Sequence, residues 1–77
     1  MFHYLKTWPE YFKAVRNGEK NFEIRKNDRN FQVGDMLVLQ EYNPGQGYTG
    51  AEITREVTYM LDKQPFVPSG YVCMSII

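Results

Sequence analysis

The most regular hydrophobic pattern in the chain covers residues 52–61, where apolar and polar side chains alternate. A period of two residues is typical of a β-strand that buries one face. The residues predicted to point inward are Ile53, Val57, Tyr59 and Leu61. Arg55 lies on the same face, so a charged residue interrupts an otherwise apolar row.

Weaker strand patterns cover residues 2–6, 21–26, 36–42 and 71–77. In the second of these segments, Phe22 and Ile24 are the predicted inward residues. Residues 36–39 are apolar throughout, which is typical of a strand buried on both faces. In the last segment the alternation predicts that Val72, Met74 and Ile76 point inward.

A helical pattern covers residues 9–17, from Pro9 to Asn17. Thr7 is the predicted N-cap, and Pro9 suits the first helical turn. Gly18 lets the chain turn out of the helix. The residues predicted on its buried face are Tyr11, Phe12 and Val15.

Two segments have the composition of loops. Residues 43–50 read N-P-G-Q-G-Y-T-G, and residues 63–70 hold two prolines and a glycine. The remaining pattern is one helix followed by antiparallel strands, which predicts an α+β fold with a small curled sheet or partial barrel. A chain of 77 residues has no room for a second core, so residues 1–77 are predicted to form one domain.

Charge and cysteine content narrow the class of protein further. Nine basic and nine acidic residues cancel, which argues against a protein that grips nucleic acid by charge alone. Neither a signal-peptide layout nor an apolar run of about 18 residues is present. A single cysteine, Cys73, fits a reducing compartment, so we expect a cytoplasmic protein. His3 has no second ligand at metal spacing, and neither a metal nor a cofactor is predicted.

The charges are nevertheless uneven along the chain. Residues 13–29 hold six basic and three acidic side chains, an excess of three positive charges. At the centre of this excess lies G-E-K-N-F-E-I-R, residues 18–25, which brings Lys20, Glu23 and Arg25 close together. One interpretation is the floor of a ligand cleft. The alternative is a solvated strand face with a weak ion pair, worth about 0–1 kcal/mol.

Other residues are candidates for the same cleft. Burying Arg55 alone would be costly, so it faces a wet cleft, or pairs with a carboxylate for which Glu23 is the candidate, or extends to solvent at a sheet edge. Tyr48 of the glycine-rich segment either stacks on a nucleic-acid base or covers the core. The remaining candidate binding residues are Thr49, Lys26 and Arg29.

The segment G-E-K-N-F-E-I-R resembles the G-x-K-x-x-E-x-R signature of the ASCH (activating signal cointegrator homology) superfamily. The segments R-K-N-D-R-N-F-Q-V-G-D, Y-T-G-A-E-I-T-R-E-V-T-Y and G-Y-V-C-M-S-I are similar to a small phage and bacterial subfamily of unknown function. The resemblance covers nearly the whole chain and implies a PUA-like, mostly antiparallel β-barrel. It also implies that Lys20, Glu23 and Arg25 line a cleft for RNA or modified nucleotides.

One branch of the superfamily is an acetylcytidine amidohydrolase, which supplies an alternative. That branch has a lysine where Lys20 stands, but a threonine nucleophile where this chain has Glu23, and a further glutamate in a longer C-terminal insertion. Neither feature carries over, and Thr49 or Thr54 could supply a hydroxyl only by a different geometry. Lys20 would also have to lose its proton to act as a base, whereas Glu23 favours the ammonium.

Three functions therefore remain open from the sequence. The first is an RNA- or nucleotide-binding module with weak binding to a short site. The second is a small hydrolase acting on an acylated nucleoside, with Lys20 and Glu23 as its catalytic candidates. The third is a protein-interaction domain.

Overall fold

The structure is a computed structural model that describes residues 1–77. It is an α+β fold with one helix and a five-stranded, mostly antiparallel sheet. The elements in chain order are β1 (Phe2–Thr7), α1 (Pro9–Arg16), β2 (Phe22–Lys26), β3 (Met36–Asn43), β4 (Gly47–Leu61) and β5 (Tyr71–Ile76). No helix is long and apolar enough to cross a membrane.

The strands lie in the order β1-β3-β4-β5-β2. β1 and β3 are parallel, and every other neighbouring pair is antiparallel. β1 and β2 are the two edges of this sheet, which is not closed into a barrel by a backbone ladder. Arginine side chains link the two edges instead: Arg25 donates to the carbonyl of Lys6 at 3.0 Å, and Arg29 donates to the carbonyl of Tyr4 at 2.9 Å.

The core lies between α1 and one face of the sheet, and α1 packs against β3. Its buried apolar residues are Leu5, Phe12, Val15, Phe31, Leu37, Leu39, Val57, Val72, Met74 and Ile76. The inward set predicted for β5 is confirmed. Val38 is buried as well, between Leu37 and Leu39, so the prediction that β3 is buried on both faces is also confirmed.

Strand β2 has the opposite orientation to the predicted one. Glu23 is only 3% exposed, whereas Phe22 and Ile24 are 44% and 51% exposed. The period of two residues shows which side chains share a face, but it does not show which face turns inward. Because Glu23 has cationic partners on both carboxylate oxygens, the cost of burying its charge is offset. The prediction that Phe22 and Ile24 are buried anchors is therefore wrong.

A β-bulge changes which side chains point inward in the second half of β4. The register with β5 shifts between Val57 and Tyr59, and the extra residue switches the following side chains to the other face. Val57 is buried, Met60 takes the next inward position opposite Met74, and Tyr59 is 67% exposed. The prediction that Tyr59 and Leu61 point inward is wrong.

The glycine-rich segment is a tight β-hairpin and not an irregular loop. Asn43 pairs with Gly47 across the turn, and the N–H of Gly45 donates to Asn43 Oδ1 at 2.9 Å. Gly47 has a φ of 94°, in the left-handed region that favours glycine. Tyr48 and Thr49 are consequently strand residues of β4.

The start of α1 also differs from the prediction. Thr7 is the last residue of β1, and the N-cap position belongs to Trp8, whose side chain makes no capping hydrogen bond. Phe12 and Val15 are buried as predicted. Tyr11 is 48% exposed, so its assignment to the core is wrong.

A polar pair is buried beside the core. His3 Nε2 lies 2.8 Å from Asp35 Oδ2, and the N–H of Gln32 donates to the same oxygen at 3.0 Å. An ionised carboxylate can only accept hydrogen bonds, so Nε2 carries the proton. The hydrogen bond from His3 lowers the pKa of Asp35 below its ordinary value, although burial opposes this shift.

Candidate functional site

A cavity of about 490 Å³ opens between the start of α1 and β2. Its lining residues are Lys6, Thr7, Trp8, Tyr11, Lys20, Phe22, Glu23, Ile24 and Arg25. The three signature residues predicted to lie together are all among them. Pockets that bind small ligands combine apolar walls with a few convergent polar groups, and this cavity has that composition.

Glu23 is the buried centre of the cavity's polar groups. Its Oε1 lies 2.5 Å from Lys20 Nζ, and its Oε2 accepts a hydrogen bond from Arg25 Nε at 3.0 Å. The side chain of Glu23 is 4% exposed, compared with 17% for Lys20 and 25% for Arg25. The carboxylate thus lies below two cations that are still open to solvent.

Further hydrogen bonds fix the two cations. Lys20 Nζ donates to the carbonyl of Phe22 at 2.8 Å. Arg25 Nη2 donates to the carbonyl of Lys6 and to Thr7 Oγ1, at 3.0 Å and 3.3 Å. The Arg25 contacts tie β2 to the last residues of β1, and the Lys20 contact ties its ammonium to the first residue of β2.

The end of α1 positions the backbone of Lys20. Gly18 has a φ of 79° and ends the helix as predicted, and the following chain folds back over the last turn. The N–H of Lys20 then donates to the carbonyl of Ala14 at 3.0 Å. Lys20 therefore enters the cavity from a fixed point at the helix end, three residues before Glu23.

Exposed aromatic side chains surround the charged group. Trp8 and Tyr11 line the cavity from the start of α1, and Phe22 lines it from β2. Lys20 Nζ lies 4.9 Å from the ring centroid of Phe22 and 5.9 Å from that of Tyr11, within the range of cation–π interactions. The cavity thus offers flat apolar surfaces around a polar floor.

The two cations keep donors that no group of the protein uses. Lys20 Nζ has three hydrogens and makes two hydrogen bonds, so one hydrogen is free. Arg25 uses Nε and Nη2, so both hydrogens of Nη1 are free. A ligand in the cavity can accept hydrogen bonds from both side chains without breaking the contacts that hold Glu23.

Arg55 lies outside this cavity, and of the alternatives open for it, the pairing with Glu23 is wrong. Glu23 is in register with Met74 of β5, which is in register with Met60 of β4. Arg55 lies five residues before Met60, a separation of about 15 Å along an extended strand. Its hydrogen bond goes to the carbonyl of Thr54 at 3.1 Å.

Tyr48 and Thr49 also lie outside the cavity lining. Tyr48 packs edge-on against Tyr42, with 4.9 Å between ring centroids, and Thr49 donates to Glu41. Lys6 connects this hairpin to the cavity, because its ammonium lies 4.5 Å from the centroid of Tyr42. The hairpin is therefore a neighbour of the site and not part of its wall.

Lys26 and Arg29 lie beside a second, smaller cavity of about 170 Å³. Arg25 lines both cavities, so the two are adjacent along β2. The other lining residues of the smaller cavity are Leu5, Asp28 and Phe31.

The sequence prediction misses six residues of the main cavity, namely Lys6, Thr7, Trp8, Tyr11, Phe22 and Ile24. The sequence pattern assigns Tyr11, Phe22 and Ile24 to buried faces, because spacing alone does not distinguish the core from the wall of a cleft. No group of three or more His, Cys, Asp or Glu side chains is arranged to hold a metal ion.

Comparison with known proteins places the chain among uncharacterised relatives. It is 38% identical over 60 residues to an uncharacterised 12.9 kDa protein in the GpA 3′ region of Escherichia phage P2. The match covers 78% of this chain and 54% of that protein, so the chain spans about half the length of its curated relative. The model of the family described as Domain of unknown function (DUF3850) matches residues 2–76. The chain therefore belongs to the DUF3850 family.

Proposed function

We propose that this protein is an RNA- or nucleotide-binding module of the ASCH superfamily, with a PUA-like fold. One observation supports the proposal above all: a buried carboxylate, Glu23, is held by two cations at the floor of a cavity with exposed aromatic walls. The resemblance of residues 18–25 to the ASCH signature supports it independently.

The cavity's chemistry suits an unstacked base. Trp8, Tyr11 and Phe22 provide aromatic faces, and stacking of a base on an aromatic side chain contributes about 1–3 kcal/mol. The free donors of Lys20 and Arg25 suit acceptors on a base edge or a phosphate. Single-stranded RNA presents bases in this unstacked form, which makes it the favoured ligand class.

The contacts give binding more support than catalysis. Lys20 donates hydrogen bonds to a carboxylate and a carbonyl, whereas a general base has to accept a proton. Thr7 is the aliphatic hydroxyl residue in the cavity, but it donates to the carbonyl of Leu5 and not to a base. An activated nucleophile would need such a base within hydrogen-bond distance.

The proposal is tested by titrating short fluorescent single-stranded RNA oligomers with the protein at low salt. We expect Lys20→Ala and Arg25→Lys each to weaken binding about tenfold or more, because each removes charge-assisted hydrogen bonds worth about 1.5–3 kcal/mol. Arg55→Ala removes a positive charge outside the cavity and serves as the matched control. Absence of binding by the wild-type protein would overturn the proposal.

A second candidate function, self-association, is favoured by a separate surface. The outer apolar face consists of outward side chains on three neighbouring strands, namely Phe22, Ile24, Tyr59, Leu61 and Tyr71. Lys26, which is in register with Tyr71, borders this apolar area, and exposed apolar areas of this kind often mark contacts between proteins. A second copy of this chain is therefore the partner we propose.

Tyr59 and Leu61 test this candidate without touching the cavity, because neither lines it. We expect the wild-type protein to sediment as a concentration-dependent dimer, and a Tyr59→Ser/Leu61→Ser double variant to remain monomeric. A wild-type protein that stays monomeric at high concentration would exclude the dimer and leave the RNA-binding proposal untouched.

A further inference from the structure

The open edges of the sheet, β1 and β2, face each other across a groove that the side chains of Arg25 and Arg29 cross. Arg25 lines both the main cavity and the smaller cavity of about 170 Å³, so the two cavities are neighbours. Lys26, Arg29 and Asp28 also line the smaller cavity. Three cations against one carboxylate leave the smaller cavity with an excess of two positive charges.

The two arginines are anchored to the same strand. Arg25 Nη2 donates to the carbonyl of Lys6, and Arg29 Nη1 donates to the carbonyl of Tyr4. These carbonyls are two residues apart on an extended strand, so the anchor points are about 7 Å apart. The groove therefore holds two guanidinium groups at fixed positions along its length.

Anchoring leaves most of the donors of the smaller cavity available. Arg29 uses one hydrogen of Nη1, and its Nε lies 3.9 Å from Asp28 Oδ1, too far for a hydrogen bond. The ammonium of Lys26 makes no hydrogen bond within the protein, and the residue is exposed. Together with Arg25, these side chains line one small cavity, and guanidinium groups favour phosphate in such places.

We propose that the smaller cavity is a phosphate subsite, and that the protein recognises a phosphorylated nucleotide unit rather than a free nucleoside. This inference rests on the proposed function, since it places the base in the main cavity. Arg25 lies between the base and the phosphate, and Arg29 and Lys26 bind the phosphate oxygens. A base and its own or its neighbour's phosphate then occupy adjacent parts of one groove.

Tryptophan fluorescence can report ligand binding in this test. Trp8 is its single tryptophan, and it lines the main cavity with a side chain that is about half exposed. Stacking of a base against Trp8 should change its fluorescence. The probes are the four ribonucleosides and their 5′- and 3′-monophosphates, titrated separately at low salt.

We expect at least one monophosphate to bind about tenfold to a hundredfold more tightly than its nucleoside, as charge-assisted hydrogen bonds to phosphate require. Arg29→Ala and Lys26→Ala should each reduce this ratio while leaving the nucleoside affinity unchanged. Lys63→Ala, which removes an exposed lysine outside both cavities, is the matched control. Inorganic phosphate should compete with the monophosphate and not with the nucleoside.

Each other outcome has a defined meaning. Equal affinities for nucleosides and monophosphates, or a ratio unchanged in both Arg29→Ala and Lys26→Ala, would overturn the phosphate subsite. If RNA oligomers still bound in a manner that depends on Lys20, the proposed function would stand. If the wild-type protein bound neither RNA oligomers nor nucleotides, both proposals would be overturned. Lys26→Ala keeps the test valid if Arg29→Ala disturbs the sheet edge.

Discussion

At the scale of single residues, the chain's most unusual choice is a glutamate on the inward face of an edge strand. Glu23 is buried only because Lys20 and Arg25 neutralise it, and no buried side-chain nitrogen or oxygen lacks a hydrogen-bond partner. Such a group is stabilising only as a complete set, because removing one member leaves unpaired charge behind.

We therefore expect Glu23→Ala to lower the free energy of unfolding by about 3 kcal/mol. Glu23→Gln keeps an acceptor and should cost less. Urea denaturation followed by circular dichroism measures both. Glu19→Ala is the control, since Glu19 is exposed and has no ion pair. An equal, small effect of the two alanine variants would show that the buried set does not hold the fold.

The hydrogen bond between His3 and Asp35 predicts that the stability of the protein depends on pH. Because the folded pKa of Asp35 is lowered, its stabilising contribution is complete above the ordinary value of about 3.9 and is lost as the pH falls through the folded value. The difference in unfolding free energy between the wild-type protein and Asp35→Asn should be larger at about pH 6 than at about pH 3. It should shrink below about pH 4. A difference that did not change with pH would contradict this.

At the scale of elements, glycines decide where β3 and β4 turn. Gly47 has a φ of 94°, and no atom outside its immediate chain neighbours lies within 4 Å of the position that a Cβ would occupy. A side chain there would therefore meet backbone strain and no clash. Gly45 lies in the same turn without a positive φ. Substitution of Gly47 therefore measures the cost of backbone strain without the cost of a steric clash.

We expect Gly47→Ala to destabilise the protein by about 1–2 kcal/mol, the cost of a left-handed conformation for a residue with a Cβ. Gly45→Ala should change stability by less than about 1 kcal/mol, in either direction. Thermal unfolding of the two variants gives the comparison. Similar effects of both would mean that the turn adapts to a side chain at Gly47.

At the scale of the whole molecule, α1 serves both the core and the cavity. Phe12 is 2% exposed within the core, whereas its neighbour Tyr11 lines the cavity and is half exposed. A chain of this length buries only about 60% of its unfolded surface, so its stability depends strongly on a few large core residues.

We expect Phe12→Ala to lose about 3–5 kcal/mol, a large part of the stability of a small domain. Tyr11→Ala should leave thermal unfolding nearly unchanged and weaken binding of RNA oligomers. The pair therefore separates folding from binding on one helix. Equal loss of stability in both variants would show that Tyr11 belongs to the core after all.

Much of the fold is predictable from the sequence, because local patterns determine local structure. Helical spacing predicts α1 nearly to its ends, and alternation predicts the strands, including the inward residues of β5. The α+β class follows from the order of these elements. The hairpin in the glycine-rich segment is not predictable in this way, because its turn depends on one hydrogen bond of Asn43 and on the pairing of the flanking strands.

By itself the sequence also determined that Lys20, Glu23 and Arg25 lie close together. Glu23 and Arg25 share one face of a single strand, and Lys20 lies just before that strand begins. Only the tertiary structure decided that their face turns inward, since either face of an alternating strand can be buried until its partners are known. The bulge in β4 and the offset between strands then placed Tyr59 outside and Arg55 far from Glu23, and these depend on long-range register. The aromatic walls of the cavity come from the junction of β1 and α1, which meets β2 only in the folded chain.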